Sequence, residues 1–366
     1  MMKAFIRVDA SLDIGTGHVM RCLTLAGYLS KQGHTVHFIC RELTGHLCDF
    51  IEENGFEVLR LPSCGVLNEN NWNLSPYLKL LGVSLRVDAK QTMEILKQEN
   101  VDLLIIDHYA IDESWERNFR DVSKKIMVID DLANRKHDCD LLLDQNFYEN
   151  YPNRYHSLVP KQCKCYLGPR YVLLRQEFHE QWKKQSIRNG SVKRILIFFG
   201  GIDRTNETRR AIDSFLKLER GDIQVDVVVG RENPHIKELK RIYQRYDNLH
   251  FYCQVSNIAE FMGQADLAIG AGGSTTWERC YLGLPSIVWS IAENQEEICK
   301  GLGRKKIIKY LGNKEMVEES SIEKQLIDMI NNEVARHEMS CLSYHFMKNL
   351  HVSHQTMIEE IVRVDE

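Results

Sequence analysis

The sequence predicts an α/β protein made of two doubly wound, Rossmann-like domains with mainly parallel sheets. Short apolar runs alternate with amphipathic segments along most of the 366 residues. These runs are continuously apolar over about four to six residues, which is typical of strands that helices cover on both faces. A single core stops growing at roughly 250 to 300 residues, so this length favours two domains. We expect ligands at the carboxyl ends of the strands, in a cleft between the domains.

The first half of the chain repeats a strand followed by a helix. Strands are predicted at residues 4–10, 35–40, 57–62, 102–109, 125–131 and 140–146. Helical patterns, among them HVMRCLTLAGYLSKQG, GHLCDFIEENG and DESWERNFRDVS, lie between most of these strands. Such alternation is typical of parallel strands joined by crossover helices. We therefore predict an N-terminal Rossmann-like domain over residues 1–185.

The second half repeats the same alternation after a polar segment. Strands are predicted at residues 193–201, 224–230, 249–255, 266–273 and 285–291. The segment HEQWKKQSIRNGSVK (179–193) is charged and contains Asn-Gly, which is typical of a linker. We predict a nucleotide-binding domain over residues 192–312. A helical extension over 313–366 is expected to pack on the body of the protein.

Composition and charge argue against several classes of function. The net charge is −4, so nothing indicates a large basic surface for nucleic acid. No run reaches the roughly 18 apolar residues of a membrane helix, and the N-terminus lacks the apolar core of a signal peptide. Eleven scattered cysteines without a CxxC pair are interpreted as reduced thiols. We expect a soluble cytoplasmic monomer with a small-molecule substrate.

A glycine-rich turn links the first predicted strand to the first helix, where a dinucleotide fold places its phosphate loop. The third glycine of that fingerprint is replaced by Met20, and no Gly-Lys-Ser/Thr follows. Gly17 lets a ligand approach the backbone, and His18 lies at the helix N-terminus. The helix dipole disfavours imidazolium there, so we predict a neutral His18 that can accept a proton. A capping or packing role for His18, and either an anion contact or a solvated charge for Arg21, stay open.

The segment GAGGSTTWERCYLGLP is a second glycine-rich turn between a strand and a helix. Backbone N–H groups around Gly273, Ser274 and Thr275 can hold a diphosphate. Glu278, in the first helical turn, can accept both hydroxyls of a ribose, or it only complements the helix dipole. The turn FFGGID (198–203) is a further glycine pair at the end of a strand.

Two amides follow the predicted strand at 285–291. Asn294 and Gln295 offer donors and acceptors suited to sugar hydroxyls or N-acetyl groups. Amides in a turn before a helix also serve as caps, so this pattern alone leaves both roles open.

Seven motifs, in this order, resemble one enzyme family. They are RVDASLDIGTGHVMRCLTLA, IIDHYAID, VIDDLANRKHDCDLLLDQN, YLGPRYVLLRQEF, FFGGID, GAGGSTTWERCYLGLP and AENQ. Together, over about residues 4–300, they resemble the UDP-2,4-diacetamido-2,4,6-trideoxy-β-L-altropyranose hydrolases of pseudaminic acid biosynthesis. The resemblance implies a GT-B fold related to the MurG-type N-acetylglucosaminyltransferases.

The resemblance also implies roles for individual residues. His18 is then the catalytic base that activates water, and Tyr109 lies near the substrate. Glu278 then binds the nucleotide, and Asn294 lies in the sugar pocket. The implied reaction is an inverting hydrolysis at the anomeric carbon that releases UDP and needs neither a metal nor a cofactor. The implied pathway leads to flagellin glycosylation.

Several other functions remain as alternatives. A MurG-like glycosyltransferase would use His18 to deprotonate a sugar hydroxyl instead of water. An NAD-dependent oxidoreductase would use residues 15–17, but the missing third glycine and the pair Arg41-Glu42 count against it. A sugar-nucleotide binding protein without catalysis would not need His18.

A metal site is a weaker alternative, based on Asp138 and Asp140. The Asp-x-Asp pattern holds manganese in another glycosyltransferase fold, but here it precedes a predicted buried strand. His108 and His137 are expected to make structural hydrogen bonds.

Overall fold

The computed structural model describes residues 1–63, 77–348 and 350–363, which form two compact α/β units. The first unit comprises Met1–Asn146, Asn150–Leu173 and Leu350–Glu366, and the second comprises Phe147–Glu149 and Leu174–Asn349. The ten cysteines of the described part are free thiols, as predicted, and Cys64 lies outside it.

The strands of the described residues follow the alternation read from the sequence. In the first unit they are β1 (Lys3–Val8), β2 (Thr35–Arg41), β3 (Glu57–Leu61), β4 (Val101–Asp107), β5 (Ser123–Ile129), β6 (Leu141–Asp144) and β7 (Lys164–Leu167). In the second unit they are β8 (Arg194–Phe198), β9 (Gln224–Val229), β10 (Leu249–Cys253), β11 (Leu267–Ala271), β12 (Ser286–Ser290) and β13 (Lys309–Asn313).

Helices connect most of these strands. The α-helices of the described residues are α1 (Gly17–Lys31), α2 (Cys48–Glu53), α3 (Leu85–Leu96), α4 (Glu113–Glu116), α5 (Gln176–Trp182), α6 (Glu207–Leu216), α7 (Ile236–Tyr243), α8 (Ile258–Gln264), α9 (Thr275–Tyr281), α10 (Glu296–Arg304), α11 (Glu319–Asn331), α12 (Glu333–Met347) and α13 (Leu350–Val362). Within the described chain, none of them combines the length and the apolar character needed to cross a membrane.

The sheet of the first unit is parallel throughout its described strands. Its order is β3-β2-β1-β4-β5-β6-β7. Ile6 of β1 lies opposite Phe38 of β2 and Ile105 of β4, so apolar rows continue across the sheet. Because the order reverses between β1 and β4, the loops after these two strands flank the switch point at which such sheets bind ligands.

The sheet of the second unit has the same construction. Its order is β10-β9-β8-β11-β12-β13, again parallel in every described pair. Ile197 of β8 lies opposite Val227 of β9 and Ile269 of β11. The order reverses between β8 and β11, so the glycine-rich loops that follow these strands flank the second switch point.

Every strand predicted from the sequence is confirmed, whereas β7 and β13 were not predicted. β7 has only the four residues KCYL, and its burial is partial. β13 is an edge strand with the sequence KYLGN, in which all five residues are half-buried. Neither segment has the continuous apolar run by which the other strands are recognised.

The division of the chain differs from the predicted domain boundaries. The second unit begins at Leu174 instead of near residue 192, because α5 packs against α8 and α9 of that unit. The predicted extension over 313–366 is helical but does not form one body. α11 and α12 belong to the second unit, and α13 packs on α1 and on the turn Pro169–Tyr171 of the first.

Candidate active site

The turn between β1 and α1 is built by hydrogen bonds to Ser11. The Ser11 carbonyl accepts from the Gly15 N–H at 2.9 Å, and its hydroxyl oxygen accepts from the N–H groups of Asp13 and Ile14. Gly15 has φ +81°, a conformation that glycine adopts without strain. The turn therefore starts α1 at Gly17 and places His18 in its first turn.

His18 contacts a carboxylate at the end of β4. Its Nδ1 lies 2.5 Å from Oδ1 of Asp107, the last residue of that strand, and both side chains are buried. Burial opposes ionisation of Asp107, but the Arg21 guanidinium and the His18 ring hold its pKa well below the usual range. Since a carboxylate only accepts, we assign the hydrogen to Nδ1, which leaves Nε2 as the nitrogen that can take a proton.

Arg21 fixes this pair from one helical turn further along. Its Nε and one terminal nitrogen each donate to Asp107 at 2.6 Å, and the other terminal nitrogen donates to Asp131 at 3.0 Å. The side chain is only 8% exposed, so the alternative of a solvated charge is wrong. Arg21 and Asp107 form a bidentate ion pair, the geometry that orients a carboxylate most strongly.

Tyr109 lies beside His18, and its expected place near the substrate remains a prediction. The two rings meet edge to face with centroids 4.5 Å apart. Burial, followed by the negative charge of Asp131, to which its hydroxyl is hydrogen-bonded, raises the pKa of Tyr109 well above its usual value. Ile14, His18, Leu80, Asp107, His108 and Tyr109 line a narrow, tightly packed depression here.

A network of fully buried ion pairs supports the site. Arg7 pairs with Asp9 at 2.6 Å and with Asp88 at 2.6 Å, and Arg41 pairs with Asp88 at 2.7 Å. His108 accepts the Ala110 N–H at Nδ1, as expected for a structural histidine, and burial lowers its pKa to about 4. Arg41, which counted against an NAD site, is thus part of the core.

In the second unit, Gly270 near the end of β11 and Gly272 just after it permit close packing. A Cβ on Gly270 would lie 2.3 Å from the Phe198 carbonyl oxygen, and one on Gly272 would lie 2.2 Å from Sγ of Cys299. Both distances are far below van der Waals contact, so larger residues would push the loop away from β8 and α10. These glycines hold the loop against the sheet.

The rest of this loop is more open. Gly273 and Thr275 are half-buried and Ser274 is exposed, so a ligand can reach them. The N–H groups of Thr276 and Trp277 already donate to the carbonyls of Gly273 and Ser274. Backbone donors for a phosphate therefore come from the turn and from the first residue of α9.

Glu278 occupies the first turn of α9 and is held by an arginine. Its Oε1 accepts from Arg175 at 3.2 Å, while Arg175 also pairs with Glu177 at 2.6 Å. The side chain is 15% exposed, and Oε2 is buried without a hydrogen-bond partner among the described residues. A buried oxygen without a donor is costly, so Oε2 is the atom available to a ligand hydroxyl.

The two predicted amides lie in the turn Glu293–Gln295 after β12. Oε1 of Gln295 accepts the Ile291 N–H at 3.0 Å and so ties the turn back to the end of β12, without capping the helix that follows. Its side chain also packs beside Gly272 and Gly273. Asn294 is half-buried in the same turn. Both amides thus lie at the carboxyl end of the strand next to β11.

The predicted metal alternative involves residues that make other contacts. Arg120 donates to Asp138 at 3.1 Å and to Asp140 at 2.7 Å. Asp140 also accepts the Ile126 N–H. Both carboxylates therefore serve an ion pair that fixes the start of β6. No group of three or more metal-ligating side chains occurs within the described ranges.

Comparison with known proteins relates the second unit to one family. Residues 194–353 match the model of the glycosyltransferase family 28 C-terminal domain. A MurG structure from Acinetobacter baumannii superimposes with a TM-score of 0.62 over 98% of this chain and 100% of that chain, at 15% identity. This likeness establishes the fold.

Two curated relatives cover most of the chain. This chain is 30% identical to the uncharacterized protein MJ1062 of Methanocaldococcus jannaschii over 81% of its own length. The match spans 57% of the length of that protein. The UDP-2,4-diacetamido-2,4,6-trideoxy-β-L-altropyranose hydrolase of Campylobacter jejuni is 28% identical over 83% of this chain and 97% of its own. These matches confirm the resemblance that the motifs indicate: the chain has a GT-B type fold and is related to these hydrolases.

Proposed function

We propose that the chain hydrolyses UDP-2,4-diacetamido-2,4,6-trideoxy-β-L-altropyranose to UDP and the free sugar, in the cytoplasm, as a step of pseudaminic acid biosynthesis. The relationship to the Campylobacter hydrolase supports the substrate. The observation that carries the chemistry is the buried hydrogen-bonded pair of His18 and Asp107. A histidine held by a carboxylate in this way is suited to accept a proton from water.

The proposed reaction is a single displacement. A water molecule loses a proton to Nε2 of His18 while its oxygen forms a bond to the anomeric carbon. The bond from that carbon to the diphosphate oxygen breaks, and UDP leaves with the electron pair. Asp107 keeps the proton on Nδ1 and stabilises the imidazolium that forms. One displacement inverts the anomeric configuration, and no enzyme nucleophile is needed.

The nucleotide is assigned to the loop after β11 and to Glu278. Backbone N–H groups of Gly273, Ser274 and Thr275 would stabilise the departing diphosphate. The unpartnered Oε2 of Glu278 would accept a ribose hydroxyl. Oε1 accepts one hydrogen bond from Arg175 and keeps a second lone pair, so the expected bidentate contact with both ribose hydroxyls remains a prediction. The metal independence of the reaction remains a prediction.

A glycosyltransferase is the second candidate, because the second unit matches a glycosyltransferase domain. His18 would then deprotonate an acceptor hydroxyl instead of water. The two functions differ in one simple way, since a hydrolase turns over without any acceptor sugar.

The direct test is incubation of the purified protein with the UDP-sugar alone. We expect UDP and free 2,4-diacetamido-2,4,6-trideoxy-L-altropyranose to appear in equal amounts. Chromatography of samples taken over time measures both products. Product formation only after an acceptor is added would favour the glycosyltransferase. UDP binding without turnover under either condition would indicate a sugar-nucleotide binding protein without catalytic activity.

Replacing Glu278 with alanine should weaken UDP binding without unfolding the protein. We expect a loss of about 1.5 to 3 kcal/mol, the range for hydrogen bonds to a charged partner. Calorimetry with UDP measures this loss, and Glu297→Ala, an exposed glutamate on α10, is the matched control. An unchanged affinity would restrict Glu278 to complementing the helix dipole.

A further inference from the structure

A buried arginine lies directly under the glycine-rich loop of the second unit. Arg279 of α9 is 1% exposed, and a helical side chain at this position points back toward the N-terminus of its helix. Its guanidinium donates to the Ala271 carbonyl at 2.8 Å and to the hydroxyls of Thr276 and Thr275 at 3.0 and 3.1 Å. A Cβ on Gly270 would lie 2.9 Å from its Nη1. The charge is therefore in contact with the loop from its first residue onward.

This guanidinium has only neutral acceptors. Within the described residues no carboxylate pairs with Arg279, and its Nε has no hydrogen-bond partner. The nearby Glu278 is engaged by Arg175 through Oε1. Burial lowers the pKa of Arg279, as it also lowers the pKa of the buried Arg188 and Arg336 of this unit. An unpaired buried charge is unfavourable, and it calls for a partner that the free chain does not supply.

Two other buried arginines of this unit show how the fold compensates such a charge. Arg188 donates to two carbonyls at the C-terminal end of α8 and to one carbonyl at the C-terminal cap of α9. Arg336 donates to two carbonyls in the last turn of α11. The C-terminal end of a helix carries partial negative charge, so a cation is stabilised there. Both arginines therefore have acceptors that carry partial negative charge at helix C-termini.

Arg279 has the opposite placement. Its partners Thr275 and Thr276 are the first two residues of α9, and Ala271 precedes that helix. Helix N-termini carry partial positive charge, which disfavours a second positive charge. The loop thus combines its backbone N–H groups with a cation that no described group neutralises. An anion bound at this loop would neutralise the guanidinium and also offset its unfavourable interaction with the N-terminus of α9.

We propose that Arg279 is an electrostatic binding residue whose charge is neutralised by the diphosphate of the nucleotide at the loop 271–276. The assignment rests on the proposed function, because it takes the nucleotide to bind there. Arg279 acts through the loop from beneath, with the backbone between its guanidinium and the phosphates. It therefore favours ligands by their phosphate charge and leaves recognition of the uridine unaffected.

The test compares ligands that differ in phosphate charge. UDP and uridine are titrated by calorimetry into the wild-type chain and into Arg279→Gln, which keeps hydrogen-bonding groups but removes the charge. We expect UDP affinity to fall at least about tenfold, the effect of a unit charge within roughly 10 Å at an effective dielectric constant near 20. Uridine affinity should stay within about twofold. Arg279→Lys, which keeps the charge, should retain UDP affinity within about threefold, and Arg304→Gln, an exposed arginine of α10, is the control.

The remaining outcomes contradict the proposal. Equal losses for UDP and uridine in Arg279→Gln would show that the arginine only shapes the loop, and unchanged UDP affinity would show that its charge is irrelevant. A neutral variant that does not fold, beside a folded Arg279→Lys, would make the charge a structural requirement of the free chain. Failure of the wild-type chain to bind UDP would instead refute the proposed function, before any variant is compared.

Discussion

Replacement of His18 by alanine is expected to lower turnover of the UDP-sugar by about 100- to 10,000-fold, the contribution of a general base. UDP affinity should stay within about twofold, because the nucleotide is assigned to residues of the second unit. Steady-state kinetics and calorimetry on the same preparation separate the two quantities.

The control for this variant is His156→Ala, which removes an exposed histidine of the first unit. It should keep the wild-type rate. A His18→Ala protein that retains more than a tenth of the wild-type rate would refute the assignment of the base. A parallel loss of UDP affinity would point instead to a role of His18 in binding.

Replacement of Asp107 by asparagine is the second change with a large expected effect. The amide no longer requires a proton on Nδ1 of His18, so the ring can adopt the tautomer in which Nε2 cannot accept one. It also removes the charge that stabilises the imidazolium. We expect turnover to fall by about 100- to 10,000-fold, again with UDP affinity nearly unchanged.

Asp107 is a positioning residue, so its test needs a measurement beyond the rate. The variant also weakens the ion pair with Arg21, and breaking a buried pair costs about 3 to 5 kcal/mol when a charge is left alone. Arg21 keeps Asp131, so we expect a smaller loss of stability and a folded protein. A shifted pH–rate profile in Asp107→Asn, absent in the exposed control Asp121→Asn, supports the assignment. A rate loss explained entirely by unfolding would contradict it.

The fold was largely predictable because apolar runs report burial directly. β1, β4, β8 and β11 each contain an apolar run of at least three residues and are followed by glycine or polar motifs, so their place in parallel sheets follows from local sequence. The domain boundaries depend instead on which helix packs on which sheet. The predicted linker region overlaps α5, whose packing partner α8 is about 80 residues distant along the chain.

The candidate site was predictable in part. His18 and Tyr109 were named from motifs, and the structure brings their rings together. Asp107 and Asp131 were not named, because ion pairing across 89 and 110 residues leaves no local pattern. The signal that could have found Asp107 is its position at the end of the strand that pairs with β1. Arg21 could not be assigned, since burial decides between a solvated and a paired charge.

Hydrolysis in water labelled with heavy oxygen tests the central claim most directly. If His18 activates water to attack the anomeric carbon, the new oxygen is bonded to that carbon, and UDP leaves with its own oxygens. Mass spectrometry should therefore find one label on the anomeric hydroxyl of the free sugar, measured before exchange with solvent, and none in UDP. Label recovered in the phosphate of UDP would show attack at phosphorus and would contradict the mechanism.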